Sequence, residues 1–235
     1  HEPVIHEQTD HLGGTFIAAS AESYKGKLRD LLTWYRKQMV DLKIEIHYNE
    51  KVESIAPFAG APVIIATGAV PRVLKKVPGH EKMVEACEYL TGTLVGEKVA
   101  VIGGGMVGCE TAEYLAARGC KVSVIEMMDK IAAGESTTIL PTLLENYKTY
   151  GVEQYPSHKV KEFRMNAVVC ENKDGAEVTI PCDYIVLAMG ARSNEFDAAA
   201  LEAASIPVYS IGDAAGKAAD ISNAIRTGYD TACQL

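Results

Sequence analysis

A strand, a glycine triplet and a helix meet at residues 98–117, and that junction constrains the fold of this chain more than any other feature. The strand Lys98-Val99-Ala100-Val101-Ile102 is apolar and β-branched. It runs straight into Gly103-Gly104-Gly105-Met106-Val107-Gly108, a G-x-G-x-x-G pattern. A chain with 20 glycines produces such spacings by chance, so the setting has to decide. Behind the glycines Ala112, Leu115 and Ala116 recur at helical spacing, and Gly119 is placed to end the helix. Gly103 is expected to make the tight turn, Gly105 to let backbone approach a pyrophosphate, and Gly108 to let the helix sit close to the strand. The helix then points free N–H groups and its positive end at the phosphates. A second strand, Lys121-Val122-Ser123-Val124-Ile125, ends on the acid Glu126 at the spacing this fingerprint requires. Together these elements predict a dinucleotide site.

Glu126 also bears on which dinucleotide. Its carboxylate can accept hydrogen bonds from both hydroxyls of the adenine ribose. A 2′-phosphate about 5 Å away would be repelled by roughly 3 kcal/mol per unit charge at an effective dielectric near 20. Met127, Met128 and Asp129 bring no arginine to compensate, and Lys130 is the nearest cation that follows. The sequence therefore favours NAD(H). A solvated strand end is the plainer reading of Glu126.

The composition limits the partners. A net charge of −8 disfavours nucleic acid and anionic membranes as main partners. No apolar run approaches a membrane span; the longest candidate, Pro62 to Val70, is a strand broken by Gly68. Cysteines at 87, 109, 120, 170, 182 and 233 form neither C-x-x-C nor C-x₄-C, so no redox dithiol and no zinc knuckle is suggested. Isolated cysteines fit buried small hydrophobes in a reducing cytoplasm. The chain starts without Met and almost at once enters the strand-like Pro3-Val4-Ile5-His6-Glu7, which suggests a fragment.

Strands and helices alternate along the chain. A helix is expected from Ser20 to Met39 on the spacing of Tyr24, Leu28, Leu31, Leu32, Tyr35 and Met39. Strands are expected over Leu42 to Val52 and over Val63 to Ala66, and a connection with one short helix from Pro71 to Gly92. After a helix around Leu140 to Tyr147, Val160 to Ile180 has the pattern of a β-meander turning at Asp174-Gly175. Tyr184 to Ala188 and Pro207 to Ile211 are further strands, and a helix on Ile221, Ala224, Ile225, Gly228, Tyr229 and Ala232 closes the chain. The alternation argues for an α/β fold with parallel sheets. Two features occur twice: a strand ending in an acid (Glu7, Glu126) and a strand ending in a residue-Gly pair (Thr67-Gly68, Met189-Gly190). The chain is therefore expected to contain two related nucleotide-binding units, one inserted in the other. Residues 1–92 with 197–235 would form the outer unit, and residues 93–196 the inserted NAD(H) unit.

Several stretches carry a resemblance to a known family: His6-Glu7-Gln8-Thr9-Asp10-His11-Leu12-Gly13-Gly14, Ala66-Thr67-Gly68-Ala69-Val70-Pro71-Arg72, Val101 to Glu113, Val124 to Ala132, and Tyr209-Ser210-Ile211-Gly212-Asp213-Ala214. The chain resembles the two-dinucleotide-domain flavoprotein reductases. More closely, it is similar to the C-terminal reductase portion of the NADH:flavin oxidoreductases related to 2,4-dienoyl-CoA reductase, 2-enoate reductase and trimethylamine dehydrogenase. The resemblance implies that the outer unit is of the FAD type and that the inner domain is for NAD(P)H. It implies that Glu7 holds the ADP-ribose of the flavin nucleotide and that Asp213, after Gly212, bonds its ribityl or pyrophosphate region. Glu110 would face the nicotinamide half of the pocket, and Thr67-Gly68 and Gly190 would be strand-end turns passing close to cofactor. Family members also carry a first G-x-G-x-x-G on a βα unit and an N-terminal barrel with FMN and an iron–sulfur centre. Neither is in this sequence, so the flavin pyrophosphate would lack its usual glycine loop.

These readings converge on a reductase module that binds NADH and passes hydride to a flavin; the resemblance alone implies an unsaturated acid or thioester as the final acceptor. No side-chain acid–base pair is required, so no catalytic residue is assigned. Two alternatives stand beside it: a catalytically silent NAD-binding module, and a dehydrogenase acting directly on a small molecule. The second would need a proton donor by the nicotinamide, for which the sequence offers no convincing candidate.

Overall fold

The computed structural model describes residues 1–22, 25–54, 56–58, 60–86, 97–133, 138–194, 196, 207–216 and 219–235. The chain enters with β1 (Val4–His6), α1 (Thr15–Ala19), α2 (Gly26–Asp41), β2 (Glu45–His47), β3 (Val63–Ile65) and β4 (Ala69–Pro71). It continues with β5 (Met83–Glu85), β6 (Lys98–Ile102), α3 (Met106–Ala117), β7 (Lys121–Ile125), α4 (Leu140–Tyr150) and β8 (Glu153–Tyr155). Three meander strands follow, β9 (Lys159–Arg164), β10 (Ala167–Glu171) and β11 (Glu177–Pro181), and then β12 (Tyr184–Leu187). The chain closes with β13 (Ala191–Ser193), β14 (Val208–Ser210) and α5 (Ile221–Ala232). It divides into two compact units, His1–Val70 with Ala191–Leu235, and Pro71–Gly190. The boundaries read from sequence, 92/93 and 196/197, involve residues outside those described.

The unit of residues 71–190 is built on a five-stranded parallel sheet in the order β5-β12-β6-β7-β8. Its central strands are buried on both faces, as parallel strands covered on both sides must be: Val99, Ala100, Val101, Val122, Val124 and Val186 are all almost fully inaccessible. On one face α3 lays down Cys109, Ala112, Leu115 and Ala116, and α4 adds Leu143 and Tyr147. The other face is covered by the antiparallel meander β11-β10-β9 through Phe163, Val168, Cys170 and Ile180. Full burial of one such side chain stabilises by about 1.5–3 kcal/mol, so this core is where the unit's stability lies. α3 ends at Arg118 with Gly119 following at φ +87°, and α4 is capped by Gly151 at φ +71°. The left-handed conformation there suits glycine.

The first unit is thinner. Its strands form parallel pairs, β1 with β2 and β14 with β3, while β4 pairs with β13. Among the described residues its buried apolar side chains are Ala18, Leu32, Ile65 and Ala214. The strands β1, β3 and β14 are half-exposed along most of their length.

The structure corrects the sequence reading at several elements. The long helix expected from Ser20 instead begins at Gly26, after the short α1; Tyr24 lies outside the described residues. The strand expected over Leu42 to Val52 is confined to Glu45–His47. Within the Pro71 to Gly92 connection, Met83–Glu85 is a strand of the five-stranded sheet, in register with Ile185 to Leu187. The cysteines are not uniformly buried. Cys109, Cys170 and Cys182 are, Cys120 is intermediate, Cys233 is exposed, and Cys87 lies outside the described residues.

Candidate dinucleotide site

The glycines differ in what space demands of them. Gly103 leaves β6 at φ +107°, and a Cβ there would meet the carbonyl oxygen of Ala188 at 2.4 Å. Gly108 lies in the first turn of α3, where a Cβ would meet the carbonyl oxygen of Gly103 at 1.8 Å. Those two positions are closed by backbone. Gly105, the N-cap of α3 in extended conformation, would meet nothing within 4 Å. Open space over Gly105, between two positions that tolerate no side chain, is the shape a pyrophosphate needs above a helix N-terminus. Met106 and Val107 are exposed on that first turn. Glu110 is half-buried on the next turn of α3.

Glu126 meets this loop directly. Its Oε2 accepts the N–H of Gly104 at 2.6 Å, and its Oε1 accepts the N–H of Met128 at 2.7 Å. The backbone around it is tied to the end of β8: Glu126 N–H donates to the Tyr155 carbonyl, His158 N–H to the Glu126 carbonyl, and Ser157 N–H to the Met128 carbonyl. Gly190, at φ +76°, follows β12, the neighbour of β6, and its carbonyl accepts the N–H of Arg72. The loop residues 103–108 and Glu126 are thus brought together by hydrogen bonds, and Gly190 stands at the same end of the same sheet.

In the first unit Glu7 ends β1 and its Oε1 accepts both the N–H and the hydroxyl of Thr9, each at 2.8 Å. Thr67 donates its hydroxyl to the Asn194 carbonyl, and Gly68 sits at φ +70° with open space where a Cβ would stand. Gly212 turns at φ +55° and donates its N–H to Thr227 Oγ1 at 2.8 Å. Asp213 Oδ1 accepts the N–H of Ala219 at 2.9 Å. Glu7 stands at the end of the β1–β2 pair, whereas Thr67-Gly68 and Gly212-Asp213 follow the two strands of the β14–β3 pair.

Sequence reasoning missed the residues that support the site. Tyr147, 1% exposed, donates its hydroxyl to the Cys109 carbonyl at 2.9 Å, fixing α4 against the start of α3. The segment after β8 repeats the one after β2. Glu7 N–H donates to the His47 carbonyl, Glu50 N–H to the Glu7 carbonyl, and Asn49 N–H to the Thr9 carbonyl. Asn49 and Ser157 both stand at φ +57°. The signal for this was present in the shared Lys-Val that follows, Lys51-Val52 and Lys159-Val160.

Two units built on one plan, each with a strand-terminal acid held in the same local turn, are what a paired nucleotide-binding domain requires. Residues 20–212 match the family model of the pyridine nucleotide-disulphide oxidoreductases. The chain belongs to that family. It is 39% identical over 97% of its length to a bilirubin reductase of Mediterraneibacter gnavus, of which it covers 36%. It is 32% identical over 99% of its length to a cinnamate reductase of Clostridium sporogenes, of which it covers 35%. Among solved structures it superposes on a 2-naphthoyl-CoA reductase in complex with 2-naphthoyl-CoA. The TM-score is 0.87 at 27% identity, covering 100% of this chain and 36% of that one. The chain thus spans little more than a third of the length of these relatives. The fold is that of the flavoprotein reductases the sequence resembles, and FAD and NAD(H) are the cofactors of this domain family.

The described cysteines, Cys109, Cys120, Cys170, Cys182 and Cys233, are free thiols. Burial pushes the Cys170 thiol up to about 12 and that of Cys182 up to about 11. Neither is available as a thiolate near neutral pH. No cluster of His, Cys, Asp and Glu fit to hold a metal occurs among the described residues. No helix of those residues is long and apolar enough to cross a membrane.

Proposed function

We propose that the chain is the reductase module of a flavin-dependent enzyme. It would bind NADH in the unit of residues 71–190 and pass hydride to FAD held by the other unit. In the intact protein the electrons would serve reduction of an enoate or enoyl thioester. The observation that carries the NADH half is the carboxylate of Glu126, fixed against the glycine loop by the 2.6 Å bond from Gly104. An acid in that place accepts ribose hydroxyls and repels a 2′-phosphate. The open space at Gly105 fits the pyrophosphate, and Glu110 and Gly190 are assigned to the nicotinamide half. Glu7, Thr67, Gly68, Gly212 and Asp213 are assigned to the flavin nucleotide.

When bound, the two cofactors supply the chemistry, transfer of a hydride from nicotinamide to flavin. The chain's residues bind and orient. Gly103 and Gly108 let the turn and helix close up beneath the pyrophosphate, and the N-terminus of α3 offers its free N–H groups to it. Reduction of the final acceptor is assigned to a further domain of the whole protein, an FMN and iron–sulfur barrel. The names of the cinnamate and 2-naphthoyl-CoA reductases support an unsaturated acid or thioester as that acceptor. The thiols of Cys170 and Cys182, buried and in no disulfide, fit a cytoplasmic setting.

A second reading is an NAD-binding module without flavin chemistry. An anaerobic visible spectrum, taken after incubation with FAD and desalting and again after adding NADH, separates the two. A retained flavin band bleached by NADH is the result expected of a reductase. Loss of the flavin with NADH still bound would leave the binding module alone.

A further inference from the structure

The middle glycine of the loop is usually given no role of its own, yet here three contacts converge on it. Gly104 donates its N–H to Glu126 Oε2 at 2.6 Å. Its carbonyl accepts the N–H of Ala132 at 2.7 Å and lies 3.3 Å from the thiol of Cys109. The loop 127–131 is therefore gripped at both ends by one buried residue. Ala132 is held at φ +58° with only 3% exposure. A left-handed alanine costs about 1–3 kcal/mol and persists only where its surroundings over-determine it. There is no spare room either: a Cβ at 104 would stand 3.0 Å from Glu126 Cβ and 3.3 Å from both Glu126 Cγ and Ile131 Cγ1.

Glu7 serves as an internal comparison. Its Oε1 is held by the N–H of Thr9 two residues on, as Oε1 of Glu126 is held by Met128. That clamp comes with the local turn. The second clamp does not, since Oε2 of Glu7 has no partner of this kind among the described residues. The bond to Oε2 is the contribution of Gly104.

We propose that Gly104 is a positioning residue that sets nucleotide specificity by immobilising Glu126. A carboxylate offers about four acceptor sites. With one site on each oxygen taken by a protein N–H, one remains on each, which suits the two neighbouring hydroxyls of an unsubstituted ribose. An unclamped glutamate could swing away from a 2′-phosphate. A carboxylate held at both oxygens cannot, so the repulsion is kept. The inference rests on the NADH reading of this site.

The test is titration of the full chain with NADH and NADPH, following nicotinamide fluorescence, for wild type, Gly104→Ala, Glu126→Ala and the double variant. Gly104→Ala is expected to weaken NADH about tenfold while changing NADPH less than about threefold. In the Glu126→Ala background it should add less than about twofold, because both act through one group. Equal weakening of both nucleotides, or a full tenfold effect in that background, would overturn the role of Gly104 while leaving NADH binding in place. Wild type that binds no NADH would overturn the NADH reading itself, and this inference with it. Should Gly104→Ala not fold, amide exchange in Glu126→Ala carries the test. Protection of the Gly104 amide is expected to fall at least about tenfold relative to wild type; unchanged protection would overturn the clamp.

Discussion

A methyl group at Gly108 would lie 1.8 Å from the Gly103 carbonyl oxygen, while one at Gly105 would meet nothing. These neighbours in the fingerprint therefore fail differently when changed to alanine. Gly108→Ala is expected to destabilise the unit of residues 71–190 by more than about 2 kcal/mol, since backbone has to move. Gly105→Ala should leave the melting temperature within about 2 °C of wild type and weaken NADH at least about tenfold, its methyl standing where the pyrophosphate belongs. Thermal melts with and without NADH separate the two effects. The buried thiols give a second test. Cys170 is raised by burial, with a smaller push from Cys182, from an ordinary value near 9 to about 12. Its contribution to stability is fully present below the unfolded value near 9, and it is lost as pH rises from there through about 12. Denaturant midpoints should fall across that window. Alkylation at pH 8 should label exposed Cys233 and spare Cys170 and Cys182; prompt labelling of Cys170 in the folded chain would contradict its burial.

At the scale of elements, the contact that matters most for the site lies between two helices. Tyr147 of α4 reaches the first turns of α3 through its hydroxyl, so Tyr147→Phe removes a buried bond without opening a cavity. A loss of about 1 kcal/mol is expected, with some weakening of NADH because α3 carries the turn proposed to bind the pyrophosphate. α5 offers a contrast. Its N-cap Asp220 accepts the N–H of Asn223 at 2.7 Å, and Asp220→Ala should cost about 1 kcal/mol, confined to that helix. Hydrogen exchange by mass spectrometry would locate each loss. The elements legible in the sequence were those with a long period or a decisive end, as with α3 between its glycines, α4 stopping at Gly151, and the meander turning at Gly175. Three-residue strands such as Met83–Glu85 and Glu153–Tyr155 are too short to display alternation, and only their partners in the sheet define them.

Across the whole molecule the burial is uneven. The strands β6, β7 and β12 have nearly every side chain buried, whereas β1, β3 and β14 are half-exposed. Apolar burial is the dominant favourable term in folding, so the two units should differ in local stability. Amides of β6, β7 and β12 are expected to exchange at least about tenfold more slowly than those of β1, β2 and β3. Uniform exchange across both units would show that the chain opens only as a whole. FAD is expected to slow exchange in the first unit selectively, and NADH in the second, because a ligand stabilises the state that binds it.

The sequence by itself determined the strand–glycine–helix junction, the acid at Glu126 and the twofold use of a strand-terminal acid. Each of these depends on a local requirement: a turn that only glycine can make, an apolar run that has to be buried, a carboxylate at a strand end. Only the tertiary structure decided which strands flank β6, that Met83–Glu85 joins the sheet, and that Gly104, Ala132 and Glu126 form one hydrogen-bonded knot. Those facts depend on groups more than 20 residues apart meeting within about 3 Å, and hydrophobic periodicity carries no record of such meetings. The reach from Gly104 to Glu126 is visible only once β6 and β7 lie side by side in register.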